Sequence, residues 1–305
     1  LNFRRSFEKI GTPPVQTVGA GTAMYERCSS MLTTRLRELR PSARWVDDYP
    51  GYVASIADNL VPGVRQELYC SDYERSAGQE LLWTTHMGRE CPPKMHAAFS
   101  SSALVVNTFA RWKEAVPQLS LLGMTGFEEL RFEVKCPTGL IGTSPHLDVV
   151  AIQSNDAPVA IESKCLEFLN AHRITFSSQY DALKGPGSKT RYHELIPRLR
   201  ARPSMFRYLD AAQLIKHALG LANVFQGRPV VLLYLYWEPL NWQEFREFAQ
   251  HRIEIDEFGR YVSGCTVKFT SMSYQELWSE WAQLGEPAWL RTHIKALAGR
   301  YSVAV

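Results

Sequence analysis

Residues 159–167 read VAIESKCLE, an apolar run that carries an acid and an amine two positions apart. In an extended strand alternate side chains share a face. Ala160, Glu162 and Lys164 therefore point one way, and Val159, Ile161 and Ser163 the other. An acid and an amine so placed either neutralise each other as an ion pair or act together on a substrate. Asp148, in the segment SPHLDVV just upstream, reads as part of the preceding strand, and a short turn would set it across from Glu162. Two carboxylates a few ångströms apart repel each other unless positive charge lies between them. A divalent metal is the expected answer, because Mg²⁺ takes oxygen ligands and often uses one or two carboxylates plus waters and substrate phosphate. Mn²⁺ is expected to substitute for it. Lys164 at the rim would then hold a water or stabilise negative charge building on phosphorus.

These residues need elements to position them. FEELRFEVKCP alternates around Leu130, Phe132 and Val134, PHLDVVAIQ reads as a second strand and VAIESKCLEFL as a third. Their turn-like connections predict an antiparallel meander. MHAAFSSSALVVNTFARWKEAV, residues 95–116, predicts a helix before the strands, with serines for its N-cap. DAAQLIKHALGLANVF, residues 210–225, predicts one after them. RPVVLLYLYWEP is a continuous apolar run bounded by proline, as a central strand buried on both faces would be. Residues 21–60 carry a helical pattern, GCTVKFTSMS reads as a strand, and the chain closes on a helical region from about residue 273. The expected architecture is α/β, with a mixed central sheet flanked by helices. An N-terminal helical extension covers 1–94, a core 95–240 with a basic insertion at about 170–208, and a strand and helix extension 241–305 packs on that core.

Asp148, thirteen intervening residues, then Glu162-Ser163-Lys164 on consecutive strands resembles the PD-(D/E)xK signature of restriction-endonuclease-like nucleases, with Pro145 displaced to three positions before the acid. The order helix–strand–strand–strand–helix–strand over residues 95–237 is similar to that superfamily's core. The stretches SSALVVN, FEVKCP, HLDVV, IESKCLEFL and DAAQLIKHALGL resemble, more narrowly, a group of bacterial restriction endonucleases. The resemblance implies Asp148 and Glu162 as metal ligands and Lys164 as the catalytic amine. Gln213 matches a glutamine often carried on the helix after the third strand. The superfamily often takes a further acid from the first helix. That helix holds Asn107 and serines here, so Glu133 in the first strand becomes the substitute candidate. Against Glu133 stands its pattern: Glu129, Arg131, Glu133 and Lys135 alternate as one solvated polar face would. Glu167 is a candidate for a supporting role, and His217 reads as a packing or helix-end residue.

Between residues 184 and 207 lie seven basic residues, Lys184, Lys189, Arg191, Arg198, Arg200, Arg202 and Arg207, against one acid, Glu194. Tyr192, Phe206 and Tyr208 are interleaved. Basic side chains neutralise phosphates and aromatics stack on bases, so a basic loop contacting nucleic acid is expected; a solvated charge run is the competing account. GPGSKT within it is no phosphate loop, because Ser188 stands where glycine must precede the lysine. Cys165 faces away from Lys164 and reads as core.

The apolar and charged fractions, 45% and 21%, are those of a soluble globular chain, and the net charge of +3 is too small for a whole-molecule argument about nucleic acid. The longest apolar run is too short to span a bilayer. The first residues lack the apolar stretch of a signal peptide, so a cytoplasmic location is expected. The residues point to a Mg²⁺-dependent nuclease acting on DNA, and the resemblance implies an endonuclease role in restriction or anti-phage defence. Duplex cutters often need two active sites, which makes a homodimer one expected assembly. The competing reading is a module that binds nucleic acid or protein on the same fold without cutting.

Overall fold

The computed structural model describes residues 20–76, 84–86, 89–142, 144–154, 157–170, 172, 174–184, 187 and 190–305. Its N-terminal part holds helices α1 (Ala20–Leu39), α2 (Ile56–Asn59) and α3 (Cys70–Ser76), then the short paired strands β1 (Thr84–His86) and β2 (Arg89–Cys91). Helix α4 (Ser101–Phe109) leads into strands β3 (Glu129–Lys135), β4 (His146–Ile152) and β5 (Val159–Lys164). Helices α5 (Arg191–Ala201) and α6 (Ala211–Val224) precede strand β6 (Val230–Tyr236), followed by α7 (Arg246–Tyr261), β7 (Val267–Ser273), α8 (Tyr274–Trp281) and α9 (Leu290–Tyr301).

The expected α/β architecture with a mixed sheet is what forms. Strands run in the order β3-β4-β5-β6-β7. The first three pair antiparallel as the short connections require, and β6 and β7 add in parallel to β5. Parallel neighbours need a crossover, which α5 and α6 supply between β5 and β6, and α7 between β6 and β7. Every residue of β6 is buried, as its unbroken apolar run demands. Two cores flank the sheet. One joins Val149, Ile161, Leu233 and Leu235 to α1, α4, α8 and α9; the other joins Val150, Ala160, Leu232 and Tyr234 to α5, α6 and α7.

Several elements differ from expectation. The helix over 95–116 is shorter: Ser100 accepts from the Ala103 N–H at 3.1 Å to cap α4, which tightens into a 3-10 turn at Ala110–Glu114. The helical pattern over 21–60 breaks after α1, where Pro41 and a left-handed Gly51 (φ 85°) turn the chain. The basic segment is no loop throughout, since α5 occupies its middle; Thr190 caps that helix by accepting from the His193 N–H at 3.4 Å. Helix α7 escapes detection in the sequence because two of its inward positions, His251 and Glu254, are polar and interrupt the stripe of Phe248, Ile255 and Phe258.

Strand β3 departs from simple alternation. Leu130 and Phe132 pack in the first core but Val134 against the second, and on β4 Val149 lies in the first core while Leu147 lies in the second. The register is regular on either side, Phe132↔Val149 and Val134↔Leu147, and between them Glu133 takes a left-handed φ of 51°. The single polar face expected for Glu129, Arg131, Glu133 and Lys135 is thus broken at Glu133. Side chains of both strands change face at the level of Asp148.

Candidate active site

Asp148 on β4 and Glu162 on β5 lie one step beyond the paired residues Val149↔Ile161. Asp148 is half-buried, and its Oδ2 accepts from the Ser163 N–H at 2.6 Å. Glu162 is only 2% exposed. Its Oε1 stands 2.6 Å from Lys164 Nζ, and its Oε2 stands 3.3 Å from Nε2 of His217 on α6. Glu133, brought over by its left-handed backbone, sets Oε2 3.4 Å from His146 Nδ1. Three strands and one helix thus converge on one half-buried acidic group. Ser163 points to the other side of the sheet, where its hydroxyl lies 2.6 Å from that of Tyr274.

The electrostatics follow from burial and mutual repulsion. Burial raises the Asp148 pKa well above the usual carboxylate range, and the charges of Glu162 and Glu133 push it further; Lys164 and the Ser163 N–H offset only part. Burial works against the Lys164 charge, but Glu162, Glu167 and Asp148 outweigh it and hold its pKa above that of an ordinary lysine. Burial lowers the His217 pKa, with Glu162 opposing and Lys164 adding to the effect, so its imidazole is neutral at pH 7. Glu167 accepts from the Cys165 N–H at 2.8 Å, closing the turn after β5. Cys165 itself is fully buried, and burial pushes its thiol well up, so it is core as expected.

Gln213 is half-buried, one turn before His217 on the same face of α6. Asp210 starts that helix by accepting from the Gln213 N–H at 2.9 Å. Asn107, where the resemblance expects an acid, belongs elsewhere: its amide donates to Asn59 O at 2.9 Å and to the Tyr301 hydroxyl at 2.7 Å, and its Oδ1 accepts from the Val61 N–H at 2.8 Å. His217, which reads in the sequence as a packing or helix-end residue, is buried as packing requires and also faces Glu162. Its spacing of four from Gln213 on a predicted helix was the available signal for that second role.

Among the described residues, no group of three or more His, Cys, Asp or Glu side chains is arranged as a metal centre. The donor chemistry nevertheless fits a hard cation. Asp148 and Glu162 offer carboxylate oxygens on adjacent strands, and burial first, then the charges of Glu162 and Glu133, disfavour a bare charge on Asp148.

The basic segment is only partly where the sequence suggests. Lys184, Arg191, Arg198, Arg200, Arg202 and Arg207 are exposed, and Lys189 lies outside the described residues. Arg191 donates to Ser263 Oγ at 3.1 Å, Arg198 lies 5.8 Å from the Tyr261 ring centroid, and Arg200 pairs with Asp181 at 2.5 Å. The Tyr192 hydroxyl donates to Val267 O at 3.0 Å, at the first residue of β7. Strands β5, β6 and β7 are parallel, so the start of α5 lies toward the end of the sheet opposite Lys164. The interleaved aromatics do not serve for stacking: Tyr192, Phe206 and Tyr208 are buried. Their spacing reflects the inward face of α5 and the turn after it.

A family model described as "Restriction Endonuclease associating with ARP" matches residues 39–302. A search of curated proteins and a search of solved structures each found no match.

Proposed function

From the premise that the chain belongs to the family of restriction endonucleases associating with ARP, we propose that it is a Mg²⁺-dependent endonuclease of the PD-(D/E)xK type acting on DNA. The observation that supports this reading is the meeting of Asp148, Glu162 and Lys164 at one half-buried point of adjacent strands. Asp148 and Glu162 would hold the cation, with Mn²⁺ able to replace it and Glu133 adding negative charge beside them. When bound, the metal supplies Lewis-acid stabilisation of charge on the phosphoryl group and acidifies water. Lys164, whose ammonium persists at neutral pH, orients the attacking water or neutralises a non-bridging oxygen. Gln213 on α6 faces the same region and would steady water or substrate there. The exposed arginines of α5 and the turn after it, Arg198, Arg202 and Arg207 among them, would hold backbone phosphates away from the cleaved bond. We place its action in the cytoplasm, in restriction or anti-phage defence, with two copies meeting on a duplex. We extend to this chain the association with ARP that the family description names.

The test is cleavage of supercoiled plasmid with Mg²⁺, Mn²⁺ or EDTA, beside Asp148→Ala and Lys164→Ala proteins and with single-stranded DNA and RNA in parallel. The expected outcome is metal-dependent nicking, lost with Asp148→Ala and reduced by about 10²–10³-fold with Lys164→Ala, the range for removing a group that stabilises transition-state charge. Binding that persists in Lys164→Ala, with no metal dependence and no cutting by wild type, would instead establish a non-cleaving binding module.

A further inference from the structure

We infer that His217 is a positioning residue which reserves one oxygen of Glu162, leaving the other as the only oxygen this side chain can offer a cation. The inference rests on the metal site proposed above and adds a selectivity to it. His217 and Glu162 are both almost fully buried, at 1% and 2% exposure, and Nε2 lies 3.3 Å from Oε2. A neutral imidazole carries one N–H, and either nitrogen can hold it. A carboxylate facing Nε2 at this distance repels a lone pair there and attracts a proton, which favours the proton on Nε2 and the lone pair on Nδ1. Nδ1 is buried without a hydrogen-bond partner among the described residues, so nothing competes to draw the proton to it. Helix α6 fixes the ring. Its glycine, Gly220, lies where a Cβ would stand 2.1 Å from Cys136 O, so the helix packs closely against the residue that follows β3.

Lys164 holds the other oxygen, Oε1, at 2.6 Å. Lys164 is longer and more exposed, with 13% of its side chain accessible against 2% for His217. A cation arriving at Glu162 therefore displaces the lysine and not the histidine. Glu162 then binds through one oxygen. Mg²⁺ and Mn²⁺ accept single carboxylate oxygens in a tight octahedral shell, whereas Ca²⁺ favours more oxygens and bidentate carboxylates. His217 so placed favours the smaller ions, and its removal opens the second oxygen.

The experiment is calorimetric titration of the full chain with Mn²⁺ and with Ca²⁺, in wild type, His217→Leu, His217→Gln and Asp148→Asn proteins. Wild type is expected to bind Mn²⁺ more tightly than Ca²⁺, and Asp148→Asn to lose both. His217→Leu should weaken Mn²⁺ by about 10-fold or more, the low end for removing a partner of a metal ligand, while Ca²⁺ weakens less or gains. His217→Gln, which keeps an N–H donor, should restore the wild-type ratio of the two affinities. Mn²⁺ binding by wild type with an unchanged ratio in His217→Leu overturns this inference alone. No Mn²⁺ binding by wild type overturns it together with the metal site. Should His217→Leu fail to fold, proton–nitrogen correlation spectra of the wild-type imidazole decide: a proton on Nδ1 overturns the inference, and one on Nε2 supports it.

Discussion

At the scale of single residues the site is a balance of like charges. Asp148 binds its proton more tightly in the folded chain than in the unfolded one, because burial, Glu162 and Glu133 all disfavour its charge. Its contribution to stability is therefore present below the unfolded pKa and lost as pH rises through the raised folded value. Asp148→Asn keeps an acceptor for the Ser163 N–H and removes the charge. In metal-free protein it should raise the urea midpoint at pH 7, and the gain should vanish below about pH 3, beneath the usual aspartate pKa. Urea titrations of both proteins across pH check this; a gain that is constant with pH would mean that charge is not its source. The same repulsion would make binding of the proposed cation compete with a proton, so its affinity should climb with pH. The Glu162–Lys164 juxtaposition was legible in the sequence because period-two alternation is enough to find it. Glu133 and His217 were only half legible. The left-handed φ that turns Glu133 out of its polar row is a local break in the periodicity on which such reading depends, and a histidine inside an apolar helix face looks the same whether it packs or bonds.

At the scale of elements, α6 is the part that completes the site, and its seat is tight. A methyl at position 220 would meet Cys136 O at 2.1 Å, backbone that cannot rotate away. Gly220→Ala should therefore destabilise the fold by about 3 kcal/mol, the upper end for overpacking, and displace Gln213 and His217 from the carboxylates. Thermal melting measures the first effect and the Mn²⁺ titration the second. Glycine in a helix interior normally costs stability relative to alanine, so a gain on substitution would refute the tight seat. The strands β3 to β6, with α6, were readable because short turns, alternation and one unbroken apolar run each permit a single account. Helix α7 was not, since His251 and Glu254 fill inward positions there. Burial of Glu254 is compensated by the N–H groups of Tyr208 and Leu209, at 2.7 and 3.0 Å. No linear pattern announces that compensation.

At the scale of the whole molecule, the residues before α4 and after β6 do not form a separate layer. Met24, Cys28 and Leu32 of α1 and Leu290, Leu297 and Tyr301 of α9 belong to the same core as Val149 and Ile161 of the sheet. Asn107 ties the three regions with its bonds to Val61, Asn59 and Tyr301, and Arg300 donates to Leu32 O at 3.0 Å and Ala98 O at 2.6 Å. Asn107→Ala would leave several of these buried groups without partners, each costing about 1–3 kcal/mol. The expected loss is about 3 kcal/mol or more, in a transition where tryptophan fluorescence and far-ultraviolet dichroism still coincide. Separate transitions would show that the N-terminal region unfolds alone. The shared core also bears on what an exchange of the N-terminal region would do to the fold. Exchange of its first ninety residues with those of a relative would bring in side chains shaped for another sheet and another α9, so chimaeras joined near residue 95 start with a mismatched interior. Substitutions on the outer surface leave that interior intact, whereas an exchange of the whole N-terminal region does not.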